Sequence, residues 1–125
     1  TGASSGLGAH FARLYAAAGA AVVVGARRID RVAALADEIN GAGGRALAVA
    51  LDVTDEASII AAFDAAEAAI GVPDVVVANA GFADRTPAAD LTDEIFDRSV
   101  QAMQSGFLRL ARAAAPHLHG GWPDT

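Results

Sequence analysis

The 125-residue sequence contains no cysteine and, because all nine of its basic residues are arginine, no lysine. The absence of cysteine excludes disulfides and thiolate metal sites, and it is compatible with a reducing compartment, for which we expect the cytoplasm. The absence of lysine excludes any mechanism that needs an ammonium side chain from this chain alone. Tyrosine occurs once, as Tyr15.

Charge is also scarce, at 19% of residues, whereas 54% are hydrophobic, so the chain can bury enough apolar surface to form a packed core. Its length suits a single domain. Fifteen acidic residues give a net charge of -6, which disfavours nucleic acid as a partner. The apolar run from 16 to 26 is too short to span a bilayer, and we expect no membrane contact.

Apolar residues alternate between helical spacing and short β-branched runs along the whole chain. The first helix is predicted over 6–18, with an apolar face of Leu7, Phe11, Leu14 and Tyr15, and the last over 92–116. Between them the pattern predicts strands at 21–25, 46–53 and 74–79 and helices at 30–40 and from Thr54 or Asp55 to about 70. Single helices between apolar strands predict an α/β fold, a doubly wound parallel sheet of the Rossmann type, here incomplete with three strands and four helices. Its ligands would lie beyond the carboxyl ends of the strands.

The sequence begins with a glycine-rich turn, TGASSGLG, that leads directly into the first helix. Gly2, Gly6 and Gly8 allow a tight turn and the close approach of a ligand, and the helix N-terminus offers free amides. A pyrophosphate is the natural ligand for such a turn. No Lys followed by Ser or Thr comes after these glycines, so this is not a Walker loop. A purely structural turn is the alternative.

Two arginines follow the first predicted strand, where a dinucleotide fold places the group that reads the ribose. An acidic residue there would bind a free 2′-hydroxyl, whereas Arg27 and Arg28 suit a 2′-phosphate. The sequence therefore favours NADP over NAD, and it disfavours S-adenosylmethionine, which would also need the missing acid. A solvated arginine pair is the alternative.

Three motifs together resemble the short-chain dehydrogenase/reductase family: TGASSGLG at 1–8, LDVTD at 51–55 and NAG at 79–81. The resemblance covers essentially the whole chain, and it implies that Asp52 and Val53 meet the adenine while Asn79, Ala80 and Gly81 line the ribose and nicotinamide side. Helix capping by Asp52 and a turn at Asn79 are the structural alternatives. The cofactor-binding residues predicted by the turn, the arginines and the resemblance are Gly2, Ser4, Ser5, Gly6, Leu7, Gly8, Arg27, Arg28, Asp52, Val53, Asn79, Ala80 and Gly81.

The family's catalytic Ser and Tyr-x-x-x-Lys are not present in this sequence. Tyr15 is followed by Ala16, Ala17, Ala18 and Gly19, so it does not match, and Met103 stands where the family usually carries an Asn three residues before Gly106. We therefore predict a partial NAD(P)-binding domain over 1–125, truncated at both ends, that lacks the family's central first strand and its catalytic half. Alone it is expected to be inactive and to fold poorly or aggregate.

Two functions of different class follow. The first is the cofactor-binding half of an NADP-preferring oxidoreductase that acts on a small alcohol or carbonyl compound and forms a homodimer or homotetramer, as resembling proteins do. The second is a nucleotide-binding or regulatory module without catalysis. No metal site is expected.

Overall fold

In a computed structural model, which describes residues 1–118, the chain forms an α/β fold with helices on both faces of a parallel sheet. The helices are α1 (Gly6–Ala17), α2 (Ile29–Gly41), α3 (Glu56–Ala69), α4 (Asp93–Val100) and α5 (Gly106–Ala114). The strands are β1 (Ala21–Ala26) and β2 (Arg45–Ala50), and short 3-10 and π-helical segments cover Ala88–Asp90 and Gln101–Ser105. The fold class predicted from the sequence is confirmed.

The two strands pair in parallel, from Ala21 opposite Arg45 to Ala26 opposite Ala50. Alternate side chains of each strand point to opposite faces of the sheet, and helices cover both faces. On one face Val24 packs with α1 and α2, where Val32 is fully buried. On the other face Val49 packs with α3 and α5, and Ile59 is fully buried there. This explains why both strands are apolar without alternation.

The buried face of α1 differs from the predicted one. Leu7, Leu14 and Tyr15 are about half exposed or more, and the residues of α1 that are buried are Gly8, Ala9, Ala12 and Ala16. Small residues on this face let the helix lie close to β1. The helical prediction was correct, but the larger side chains do not face the core.

The predicted last helix is continuous but irregular. It begins at Asp93, where the Thr92 hydroxyl accepts a hydrogen bond from the Ile95 amide, and a π-helical segment from Gln101 to Ser105 separates α4 from α5. Among its larger apolar side chains, Leu110 is buried, whereas Phe96 and Phe107 are more than half exposed. The extra residue in a π turn rotates the following side chains relative to a regular helix.

The predicted third strand, 74–79, does not join the sheet, which has two strands among the described residues. A groove of about 780 Å³ separates this segment from the open edge of β1. The chain crosses the groove only at its end, where the Thr1 amine donates to Val77 O (2.9 Å) and the Ala3 amide donates to Gly25 O (3.2 Å). A strand needs a neighbour to pair with, and no strand within residues 1–118 lies beside 74–79.

Candidate functional site

Backbone conformation or close contacts require glycine at three positions of the turn. Gly2 has a φ of 67° and Gly6 a φ of 56°, in the left-handed region that favours glycine. A Cβ on Gly2 would lie 2.8 Å from Ala80 Cα, and a Cβ on Gly8 would lie 2.4 Å from Gly2 O. The backbone itself therefore requires glycine at these positions.

Asn79 and Ala80 hold this turn from the neighbouring segment. The Asn79 side-chain amide donates to Thr1 O (3.0 Å), and the backbone amides of Asn79 and Ala80 both donate to Thr1 Oγ1 (3.0 and 2.9 Å). The side chain of Asn79 thus ties two predicted motifs together. The sequence reasoning did not single out Thr1 as a site residue, although its position as the first residue of the motif was a signal.

The start of α1 presents unpaired amides. Ser5, the N-cap, is extended and its side chain makes no capping hydrogen bond, and the first amide with an intrahelical acceptor is that of Ala9, which donates to Ser5 O. The amides of Gly6, Leu7 and Gly8 donate no hydrogen bond to residues 1–118. These donors and the positive end of the helix dipole together suit an anion.

Arg28 lies beside the turn, as its position after β1 predicted. Its Nη2 donates to Ser4 Oγ (2.8 Å) and approaches Ser5 Oγ at 3.4 Å. One guanidinium and two hydroxyls therefore converge at the surface next to the open end of α1. Arg27 is exposed, and its charge makes a small contribution to lowering the pKa of the Asp52 carboxyl.

Asp52 lies two residues beyond the end of β2, but it does not cap α3. Its Oδ1 accepts hydrogen bonds from the Thr54 hydroxyl (2.7 Å) and amide (2.9 Å), while the cap of α3 is Asp55, which accepts from the Ala57 amide. The Thr54 hydrogen bonds, with a smaller contribution from Arg27, lower the pKa of Asp52. Asp52 is therefore a carboxylate at neutral pH, available as an acceptor at the end of a strand.

Val53 and Gly81 meet the irregular part of the last helix. Val53 is buried, and a Cβ on Gly106 would lie 3.0 Å from its Cγ2. The Met103 side chain lies 3.4 Å from where a Cβ on Gly81 would be. Val53, Met103 and Gly106, together with Thr1 and Ala80, line a small cavity of about 50 Å³. A thioether therefore occupies the position closest to Gly81.

The predicted site residues thus come together in one region. One packed unit is formed by Gly2, Gly8, Asn79, Ala80 and Thr1. Ser4 and Ser5 join this unit to Arg28, and Asp52 lies near the end of the neighbouring strand, β2.

Within residues 1–118, no group of three or more His, Asp or Glu side chains could hold a metal ion. None of the helices in this described part is both long and apolar enough to cross a membrane.

The sequence and fold match known proteins over almost the whole chain. Residues 1–122 match the family model described as short chain dehydrogenase. The chain is 45% identical over 122 residues to cis-4-hydroxycyclohexanecarboxylate dehydrogenase of Sinomonas cyclohexanicum, covering 94% of this chain and 47% of the relative. It is 35% identical to D-threitol dehydrogenase of Mycolicibacterium smegmatis, covering 94% of this chain and 45% of that protein.

Two solved structures share the fold of this chain. A short-chain dehydrogenase/reductase from Mycobacterium marinum matches with a TM-score of 0.87 and 38% identity, over 93% of this chain and 47% of that one. A 7α-hydroxysteroid dehydrogenase, solved with NADH and 7-oxo glycochenodeoxycholic acid, matches with a TM-score of 0.87 and 35% identity, over 94% and 46%. The chain spans about half the length of these relatives. It belongs to the short-chain dehydrogenase family.

Proposed function

We propose that this chain is the cofactor-binding part of a longer NAD(P)-dependent oxidoreductase, and that its domain, 1–125, continues at both ends. The observation that carries the proposal is the glycine turn, in which three unpaired amides at the start of α1 are held in place by Thr1, Asn79 and Ala80. Bound nicotinamide dinucleotide would supply the hydride chemistry, between its ring and an alcohol or carbonyl carbon.

The residues present fit such a dinucleotide. The amides of Gly6, Leu7 and Gly8 would bind the diphosphate. There is room for this ligand beside Gly6, because a Cβ added there would meet no atom within 4 Å, whereas Gly2 and Gly8 let the segments of the turn pack closely against each other. Asp52 would accept a hydrogen bond from the adenine amino group beside the Val53 backbone. Asn79, Ala80 and Gly81 would line the ribose and nicotinamide side.

We propose NADP as the preferred cofactor. One similar structure holds NADH, so membership of the family does not decide between the two. The support comes from Arg28, whose guanidinium and the Ser4 and Ser5 hydroxyls offer donors where a 2′-phosphate would lie. Charge-assisted hydrogen bonds to a phosphate are stronger than those to a hydroxyl.

Replacing Arg28 tests this preference. In the full-length protein, Arg28→Ala is expected to weaken NADPH binding by about ten- to a hundredfold, the equivalent of one charge-assisted hydrogen bond, and to change NADH binding by less than about twofold. Isothermal titration of both cofactors measures this. Arg31→Ala, which removes an exposed arginine of the same helix, serves as the control. Equal losses for NADPH and NADH, or tighter NADH binding by the wild-type protein, would contradict the preference.

The enzyme is favoured over a non-catalytic module because the named relatives are dehydrogenases. We propose that the catalytic residues lie outside this chain, since Tyr15 lies on α1 without a following lysine, and that the chain alone is inactive. A small alcohol or carbonyl substrate, a homodimer or homotetramer, and a cytoplasmic location complete the proposal. Nucleic acid and membranes are not proposed as partners.

A further inference from the structure

A single arginine ties the loop after Gly81 to the last helix. Arg98 Nη2 donates to Asp84 Oδ2 (2.9 Å), and its guanidinium carbon lies 5.1 Å from the centre of the Phe82 ring. Asp84 Oδ1 in turn accepts hydrogen bonds from the Thr86 amide and hydroxyl. One side chain of α4 therefore contacts Phe82 directly and, through Asp84, is linked to Thr86 at the other end of the segment 82–86.

The chemistry of this contact requires arginine. A planar guanidinium can lie over an aromatic face and donate to a carboxylate at its edge at the same time, whereas a lysine ammonium is a point charge. The Thr86 hydrogen bonds, with a smaller contribution from Arg98, lower the pKa of Asp84. The carboxylate is therefore charged at neutral pH.

The position of the loop suggests what the contact does. Phe82 follows Gly81 directly, and Gly81 is the last residue proposed for the nicotinamide side of the site. The same helix contacts Gly81 through Met103 in the π-helical segment. An exposed ion pair adds little to global stability, because water competes for both charges. The contact is thus better suited to fixing a loop than to holding the fold together.

We propose that Arg98 is a positioning residue that holds the loop 82–86 as a wall of the substrate pocket; the pocket itself rests on the proposed function. Arg98 touches neither substrate nor cofactor in this proposal. It acts by keeping Phe82 and the backbone that follows Gly81 in one arrangement. Losing it should loosen the loop and weaken substrate binding without altering cofactor binding.

Hydrogen exchange of the full-length protein, without cofactor or substrate, tests the first step. In Arg98→Ala, the amides of 82–86 are expected to exchange at least tenfold faster, and Arg98→Lys should recover only part of the protection. The matched control is Arg112→Ala, which removes the exposed ion pair between Arg112 of α5 and Glu56 of α3 and should leave the loop unchanged. Equal exchange of the loop in Arg98→Ala and Arg112→Ala would overturn the proposal.

Kinetics test the second step, with NADP and cis-4-hydroxycyclohexanecarboxylate, the compound in the name of one relative, as probe. Arg98→Ala should raise KM for the probe at least fivefold and leave kcat and the Kd for NADPH within twofold. Faster exchange with an unchanged KM would overturn the role of the loop as a pocket wall. A wild-type protein that binds no nicotinamide cofactor would contradict the proposed function, whereas the exchange result would still decide whether Arg98 positions the loop.

Discussion

Gly8→Ala is expected to abolish cofactor binding, with a loss of NADPH affinity of at least about a hundredfold, or about 2.7 kcal/mol. The added Cβ would lie 2.4 Å from Gly2 O and 2.7 Å from the Asn79 side-chain nitrogen. Because Gly2 O belongs to the backbone, relief requires moving the turn that presents the amides. Overpacking of this kind also destabilises the fold by about 1–3 kcal/mol. Titration and chemical denaturation of the full-length protein measure the two effects.

Gly41→Ala is the matched control for this substitution. Gly41 ends α2, has open space around an added Cβ, and does not have a positive φ. Alanine there should leave NADPH affinity unchanged and raise stability by up to about 1 kcal/mol, because glycine is the poorer helix former. If Gly8→Ala bound NADPH as tightly as Gly41→Ala, the close packing of the glycine turn would have no role in binding.

We expect the 125-residue chain to aggregate on its own, and we expect an extension by five apolar residues before Thr1 to give a cooperatively folding monomer. The groove between β1 and 74–79 is lined by apolar side chains from both faces, among them Phe11 of α1 and Phe63 of α3. Its length along β1, from Ala21 to Gly25, matches about five residues at about 3.3 Å each. A strand there would pair with both walls, in agreement with the central strand that the family resemblance implies.

The energetics favour this extension. Each buried apolar side chain contributes about 2 kcal/mol, ordering costs about 1–2 kcal/mol per residue, and each new backbone hydrogen bond adds about 1 kcal/mol. The net gain is on the order of a few kcal/mol. A preceding residue also turns the Thr1 amine into a neutral amide, which matters because burial lowers the pKa of that amine and so opposes its charged form.

Thermal unfolding and sedimentation of the 125-residue chain compare two extensions, Ala-Val-Val-Ile-Val and Ala-Pro-Val-Pro-Val. Prolines keep the length and the apolar character but remove two ladder amides and cannot occupy a central strand. Only the first extension should give a monomer with one sharp transition. A sharp monomeric melt of the unextended chain would contradict the expectation, as would equal effects of both extensions or a dimer in which two copies share the groove.

The sequence was sufficient for the parts of the fold that local patterns determine. Apolar β-branched runs predicted β1 and β2, and helical spacing with glycine stops predicted α1, α2 and α3. The same pattern predicted a strand at 74–79, where pairing depends on a neighbouring strand that residues 1–118 do not provide. The pattern did not indicate the π turn at 101–105 either; it lies where the last helix packs against Val53 and Gly81, which are distant in sequence.

The candidate site also combines features that the sequence predicted with contacts that it could not predict. Motif spacing predicted that the glycine turn, the Arg27 and Arg28 pair and the NAG segment would share one edge of the sheet, and the structure brings them there. It could not distinguish the two arginines, since only the backbone path after β1 sends Arg28 to Ser4. Motif spacing also could not show that the side-chain amide of Asn79 would donate a hydrogen bond to Thr1 O. The first of these contacts joins residues 24 apart in the sequence, and the second joins residues 78 apart.

The most direct test of the account is a titration of the full-length protein with NADPH, followed at the backbone amides of Gly6, Leu7 and Gly8 by NMR. We expect saturable binding in which these three amide protons shift and become protected from exchange as they bind the diphosphate. A well-folded protein that binds neither NADPH nor NADH, or that binds one while these amides stay unchanged, would contradict the central claim that the start of α1 is a diphosphate site.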